Sequence, residues 1–236
     1  MLYKETVEVR TLDLILRLIK DEMFKEFDLA GDTALSLQIG HRLSADIELG
    51  SKSSFDAILL SDHLAKKYKA ESIKTLKNRV ECLVEEVKVD LRSHQYLLAP
   101  PVIIEEIRMI SQEDIGAIKL KAIVDGENSF KDFIDIYSLL EHSSLEELTE
   151  AYEKKYTKVN RSMVHKALMN HNDIIPASVT LTGQEITMKD IAYRFKKAIL
   201  EPKRIFESVP WQRQTLKKTK GDKRSPDKSR GKGWHQ

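Results

Sequence analysis

Cysteine is nearly absent: Cys82 is the sole example in 236 residues. One thiol excludes an intrachain disulfide framework and any zinc site built on several cysteines. Cys82 lies beside Leu83 and Val84 in an apolar run, with no sequence cue pairing it to a histidine, and a buried core thiol is expected there. Long apolar runs are also missing. None approaches the roughly 20 residues of a membrane-spanning helix, so no membrane partner is expected. Met1 to Arg10 carries Lys4, Glu5, Glu8 and Arg10 with no apolar stretch between them, unlike a secretory signal, and a cytoplasmic protein is expected. Internal repeats are lacking, and so is a large excess of either charge. The net charge of +2 nevertheless hides an asymmetry: Lys217, Lys218, Lys220, Lys223, Arg224, Lys228, Arg230 and Lys232 face only Asp222 and Asp227. The body is therefore mildly acidic and the tail basic.

What is present describes an ordinary globular chain, with 41% hydrophobic and 32% charged residues. Leu12, Ile15, Leu16, Ile19 and Met23 recur at helical spacing and predict an amphipathic helix over Thr11 to Glu26. A short buried strand over Phe27 to Ala30, a glycine turn at Gly31, and a helix over Thr33 to Ile39 closed by Gly40 should follow. Ser44 to Leu49 alternates: Ala45, Ile47 and Leu49 point one way, and Ser44, Asp46 and Glu48 the other. Phe55 to Tyr68 reads as a helix, and Val80 to Glu85, Val87 to Arg92 and Val102 to Met109 as strands. Val87, Val89 and Leu91 alternate with Lys88, Asp90 and Arg92. Helical spacing then takes over, around Ile115 to Ala122, Phe130 to Leu140, Ser144 to Tyr156, Arg161 to Met169 and Thr187 to Phe206. The organisation expected is a mixed α and β unit over residues 1–110, a helical part over 111–210 and a basic, disordered tail over 211–236, with Pro210 and Trp211 at the boundary.

Two carboxylates one residue apart on a strand project from the same face, and a third on a neighbouring strand can complete a cage of oxygen ligands. Asp46, Glu48 and Asp90 meet that description. Mg²⁺ takes oxygen ligands and keeps positions open for water and substrate phosphates, so such a trio suits metal-assisted nucleotidyl or phosphoryl transfer. Acidic residues on an exposed sheet face without a metal are the alternative. Upstream, Gly31, Asp32 and Thr33 occupy a turn between strand and helix whose backbone N–H groups can hold a phosphate.

The run from Phe27 to Leu49, with Gly31-Asp32-Thr33, Gly40-His41-Arg42 and Asp46-Ile47-Glu48 in order, resembles the opening motif of the AbiEii/AbiGii toxin family of nucleotidyltransferases. Lys88-Val89-Asp90-Leu91 resembles the strand bearing that family's third carboxylate. Asp114 to Ile123, followed by Lys131-Asp132 and Asp135 within Lys131 to Leu140, resembles its two-helix segment. The likeness spans Thr11 to Leu140. It implies an α+β fold: a nucleotidyltransferase-like mixed sheet with flanking helices, followed by a mainly helical C-terminal part. It further implies a nucleoside triphosphate substrate, Mg²⁺, an RNA or tRNA acceptor, and a cognate antitoxin. Carried over by position, Gly31 and Thr33 would contact phosphate, with Asp32 in the same turn. Asp46, Glu48 and Asp90 would hold metal and carry catalysis, and Lys119 would neutralise phosphate charge. Asp132 would orient Lys119 or bind the nucleotide, and His41 and Arg42 would be structural, with Arg42 pairing a core carboxylate.

Three positions depart from the family pattern. Asp32 replaces a small residue and brings a carboxylate to the phosphate turn, which is repulsive unless a cation intervenes. Glu48 stands for an aspartate, and Asp125 to Ser129 replaces a segment that usually holds an arginine. Two functions are therefore carried forward: an active nucleotidyltransferase acting on RNA or protein, and a degenerate member of the fold with a binding or regulatory role. Nucleic-acid binding through the basic tail is a third.

Overall fold

The structure is a computed structural model of the chain and describes residues 1–94, 96–126, 129–170, 179–183 and 185–207. The basic tail and the Pro210 and Trp211 boundary lie outside the described residues. Helix α1 spans Val9–Lys20 and buries Leu14, Ile15, Leu18 and Ile19. It stops short of the expected Glu26 because Asp21 is extended and its carboxylate accepts the N–H of Met23, starting a separate short turn over Glu22–Phe24. The same carboxylate accepts hydrogen bonds from His63, Lys67 and the Tyr68 hydroxyl. It thereby ties α1 to α3, which spans Ala57–Tyr68.

Strand β1 is Phe27–Ala30, and α2 follows at once as Gly31–Ile39, two residues earlier than the spacing predicts. Gly40 closes α2 in the left-handed conformation, φ 71°. Strand β2, Ile47–Ser51, starts later than expected, so Asp46 falls just ahead of it. Strand β3, Glu71–Leu76, is not foreseen by the sequence because its side chains are exposed at almost every position. Strands β4, Arg79–Val84, and β5, Val87–Ser93, match the expected alternation. The single strand expected over Val102 to Met109 is instead a hairpin of β6, Val102–Ile104, and β7, Ile107–Met109. Glu105 and Glu106 turn it with φ of 49° and 70°, and Glu85 and Glu86 turn the β4–β5 hairpin with φ of 51° and 64°. Such mirror-image turns match the twist of paired strands, although glutamate is a costly occupant. Ion pairs brace both turns: Arg10 and Arg17 of α1 reach Glu86 and Glu85, and Lys4 and Lys20 reach Glu105 and Glu106.

The strands form a seven-stranded sheet in the order β3-β4-β5-β2-β1-β7-β6. Strands β2 and β5, and β1 and β7, run parallel, and the remaining neighbours are antiparallel. The helices that follow are α4 (Gln112–Asp125), α5 (Phe130–Leu139), α6 (Leu145–Lys155), α7 (Arg161–Met169) and α8 (Met188–Leu200). Helix α8 ends before the expected Phe206, and Pro202 stands two residues beyond it, where a helix cannot continue. One apolar core runs from Leu29, Leu49 and Leu91 in the sheet through Leu35 of α2 to Leu120, Phe133 and Phe195 in the later helices. Cys82 belongs to it, and burial pushes its thiol up to about 11, as a core thiol should behave. No helix among the described residues is long and apolar enough to cross a membrane.

Candidate active site

The period-two pleat places Ile47, Leu49, Val89 and Leu91 in the core, each fully buried, and turns Glu48 and Asp90 to the opposite face. Glu48 and Asp90 are register partners across the parallel β2–β5 pair, and Glu81 is the partner of Asp90 on β4. Asp46, exposed, precedes β2, and its carbonyl accepts the hydroxyl of Thr33. That hydroxyl also bonds Ser44 at 2.7 Å, and Thr33 is only 1% exposed. The Thr33 side chain thus fastens the approach to β2 to the start of α2.

Asp90 accepts a forked pair of hydrogen bonds from Arg79, at 3.2 and 2.9 Å, and a further one from Arg92. Burial pushes the Asp90 carboxyl up, but the hydrogen bonds from Arg79 and Arg92 outweigh it and hold the group below the usual carboxylate range. Arg79 also pairs with Glu81. Glu48 takes a different path. One oxygen lies 3.2 Å from His94 Nε2 and 3.8 Å from Arg92 Nε, and the other lies over Gly31. A Cβ on Gly31 would come within 2.9 Å of that oxygen, and φ at Gly31 is +63°, so glycine is required here both by backbone conformation and by the carboxylate above it. Glu48 therefore rests against the first residue of α2, where its negative charge meets the positive end of the helix.

Behind this face lies a second group. Asp32, Asp132 and Asp135 bring carboxylate oxygens within 4.8 Å of one another. The buried ammonium of Lys119 sits among them, bonded to Asp32, to Asp132 at 2.7 Å and to Asp135 at 2.8 Å. A metal ion has no claim on this ring, because the protein supplies the cation. Asp135 is fully buried and also accepts from Arg42 Nε at 2.7 Å, Arg42 Nη2 at 3.0 Å and His41 Nε2 at 2.8 Å. Arg42 reaches Asp32 at 2.8 Å as well. Burial opposes every charge here, yet the carboxylates hold Lys119 and Arg42 protonated, and the two cations hold Asp32 and Asp135 ionised. Burial pulls His41 below the ordinary imidazole value despite its bond to Asp135, so the ring is neutral near pH 7 and donates Nε2–H. Asp132 also closes, together with Ser129, the capping box that starts α5.

The sequence-derived residues thus fall into two adjoining groups. Glu48 and Asp90 share the polar sheet face and Asp46 lies just ahead of it, but the three do not form a group of converging carboxylate oxygens as Asp32, Asp132 and Asp135 do; Gly31 joins that face to α2, and Asp32, Lys119 and Asp132 belong to the buried network. The cation demanded by Asp32 is present twice over, in Lys119 and Arg42. Sequence reasoning gives Asp135 little weight, though it accepts three hydrogen bonds from Arg42 and His41 and pairs with Lys119 as well. Such reasoning also misses Arg79, Glu81 and His94. Arg92 alternates in phase with Asp90, and that is the available signal for it.

A mixed sheet with carboxylates on its open face and helices behind it is a nucleotidyltransferase-like fold. The crystal structure of JHP933 from Helicobacter pylori shares the fold, with a TM-score of 0.50 at 17% identity over 83% of this chain and 92% of that one. An antigenic nucleotidyltransferase-like protein from Paracoccidioides brasiliensis aligns at a TM-score of 0.45 and 17% identity, over 68% of this chain and 93% of that one. In sequence, the uncharacterized protein aq_aa25 of Aquifex aeolicus (strain VF5) is 28% identical over 155 residues, or 63% of this chain and 75% of that protein. Residues 13–203 match the family described as nucleotidyl transferase AbiEii toxin, type IV TA system, and the chain belongs to that family.

Proposed function

We propose that this nucleotidyltransferase is Mg²⁺-dependent and toxin-like, moving a nucleoside monophosphate from a nucleoside triphosphate to an RNA acceptor, such as tRNA, or to a protein. The observation that carries the reading is the pairing of Glu48 with Asp90 across β2 and β5, with Asp46 just upstream and the Glu48 carboxylate against Gly31 at the head of α2. The donor type suits a hard cation, since Asp46 and Glu48 offer carboxylate oxygens, and these would have to draw together around it, because among the described residues only Asp32, Asp132 and Asp135 bring three such ligand atoms within 4.8 Å. Bound to Asp46 and Glu48, Mg²⁺ would neutralise triphosphate charge and the departing pyrophosphate. Asp90 adds a third carboxylate. Hydrogen bonds from Arg79 and Arg92 favour its anion, which suits a fixed negative charge. The backbone N–H groups of Gly31, Asp32 and Thr33 at the head of α2 would orient phosphate, with Lys119 and Asp132 behind them. A cognate antitoxin is the expected protein partner.

The test is transfer of label from each α-labelled nucleoside triphosphate, with Mg²⁺, to total RNA or to protein. Label moved by the wild type and not by Asp46→Ala supports the proposal. No transfer, together with no detectable binding of the Mg²⁺-nucleotide, removes catalysis from it. A second reading, a nucleotide-binding or regulatory protein without catalysis, is favoured by one observation: Asp32 already engages Lys119 and Arg42, the cations nearest the phosphate turn. Nucleotide binding without transfer by both wild type and Asp32→Ser would establish it.

A further inference from the structure

The connection from β5 to β6 has to pass β2, β1 and β7, which stand between those strands in the sheet. It sets out over the carboxylate face. The His94 ring rests against Gly50, two residues from Glu48 on the same face of β2, and its Nε2 pairs with Glu48 at 3.2 Å. The N–H of Tyr96 then donates to the His94 carbonyl, which brings Tyr96 back beside the residue that touches Glu48.

A buried ion pair from the later helices grips the main chain at this point. Lys155, the last residue of α6, lies 2.7 Å from Asp114 in the first turn of α4, with 4% and 0% of their side chains exposed. Both also bond the connection. Lys155 donates to the Tyr96 carbonyl, and Asp114 accepts the N–H groups of Leu98 at 3.0 Å and of Ala99 at 3.3 Å. A buried pair of this kind is costly to break, so the backbone of residues 96–99 is firmly placed. The side chain of Tyr96 is not drawn into the core with it. Tyr96 is 56% exposed, and the Lys155 ammonium stands over its ring, 5.9 Å from the centroid. An open aromatic ring on a fixed main chain loses little freedom when a flat partner stacks on it.

We infer that Tyr96 is the platform on which the base of the nucleoside triphosphate stacks. This rests on the proposed nucleotide-binding role of the Gly31 turn and the carboxylate face, whose groups act on phosphate and cation and leave the planar, uncharged base without a partner. Every base has a π face, so stacking on Tyr96 serves all four nucleotides.

The experiment measures by calorimetry how the full-length protein binds the Mg²⁺ complexes of the four nucleoside triphosphates and of inorganic tripolyphosphate, which carries no base. Tyr96→Leu should lose about tenfold in affinity for every nucleotide, because one stacked ring is removed, and stay within about twofold of wild type for tripolyphosphate. Tyr96→Phe keeps the ring and should stay within about threefold of wild type throughout. A structural role would weaken tripolyphosphate along with the nucleotides. Unchanged nucleotide affinity in Tyr96→Leu, a parallel loss of tripolyphosphate, or an equal loss in Tyr96→Phe overturns the assignment and leaves the nucleotide site standing. Binding of no nucleotide by the wild type overturns both.

Discussion

Replacing Asp135 by Asn tests whether the buried network joins the sheet to the later helices. The wild-type carboxylate is fully buried, receives two hydrogen bonds from Arg42 and one from His41, and forms an ion pair with Lys119, all at 2.7 to 3.0 Å. Breaking a buried charge pair costs about 3–5 kcal/mol, because the surviving partner stays out of water. Asparagine keeps one acceptor oxygen, and Arg42 and Lys119 keep Asp32, so the lower end, about 3 kcal/mol, applies. Against a typical stability of about 5–15 kcal/mol this is a large loss. With a urea dependence of about 2–3 kcal/mol/M, the unfolding midpoint should fall by about 1–1.5 M with little change in slope. The direction with pH is also determined. Asp135 is held well below the usual carboxylate value in the folded state, so its contribution is complete above about pH 4 and is lost as pH falls towards the folded value. The gap between wild type and Asp135→Asn should therefore be full at pH 7 and close in acid. A difference under about 0.5 kcal/mol at pH 7, or a gap that persists unchanged at pH 2, would refute the reasoning.

Three further outcomes follow, two from the site and one from the core. Asp32→Ser releases Lys119 and Arg42 towards the proposed phosphate turn, and calorimetry should show Mg²⁺-nucleotide binding about tenfold tighter, or about 1.4 kcal/mol; unchanged affinity would mean that the Asp32 contacts do not compete with phosphate. Gly31→Ala imposes a left-handed backbone on a residue with a Cβ and crowds Glu48, costing about 1–2 kcal/mol. Its melting temperature should drop by about 3–6 °C and its cation binding weaken, while a melting curve matching wild type would contradict the crowding. The Cys82 thiol, buried and shifted up to about 11, should react with a thiol reagent at pH 8 only at the rate of unfolding, and fast labelling of the native protein would count against its core position.

The placement of the candidate residues on their strands was legible where its signals are local. The alternation through Asp46 to Leu49 and Val87 to Arg92 assigns side chains to faces, and a glycine between strand and helix marks the turn proposed to hold phosphate. Pairing Glu48 with Asp90 needed only that the two strands be neighbours, which a nucleotidyltransferase-like fold implies. The buried network was not legible in that way. Asp135 meets Arg42 across 93 residues and Lys119 meets Asp32 across 87, so no periodicity links them. Arg42 was expected to find a core carboxylate, but nothing local identified which. Strand β3 escaped because an exposed edge strand has no apolar alternation to read. The β6–β7 hairpin escaped because its turn is Glu105-Glu106, where glycine or asparagine is the usual sign. His94 follows a strand with no motif around it, and its ion pair with Glu48 joins residues too far apart in sequence for any local signal.

The most direct test of the central claim pairs two labels in one reaction. Purified protein is incubated with Mg²⁺, RNA and a nucleoside triphosphate labelled at the α-phosphate in one tube and at the γ-phosphate in another, for each nucleotide, with Asp46→Ala alongside. Nucleotidyl transfer predicts α-label in the acceptor, γ-label in pyrophosphate, and neither product from Asp46→Ala. Covalent γ-label in the acceptor, or α-label transferred equally by Asp46→Ala, would contradict the role assigned to the carboxylate face.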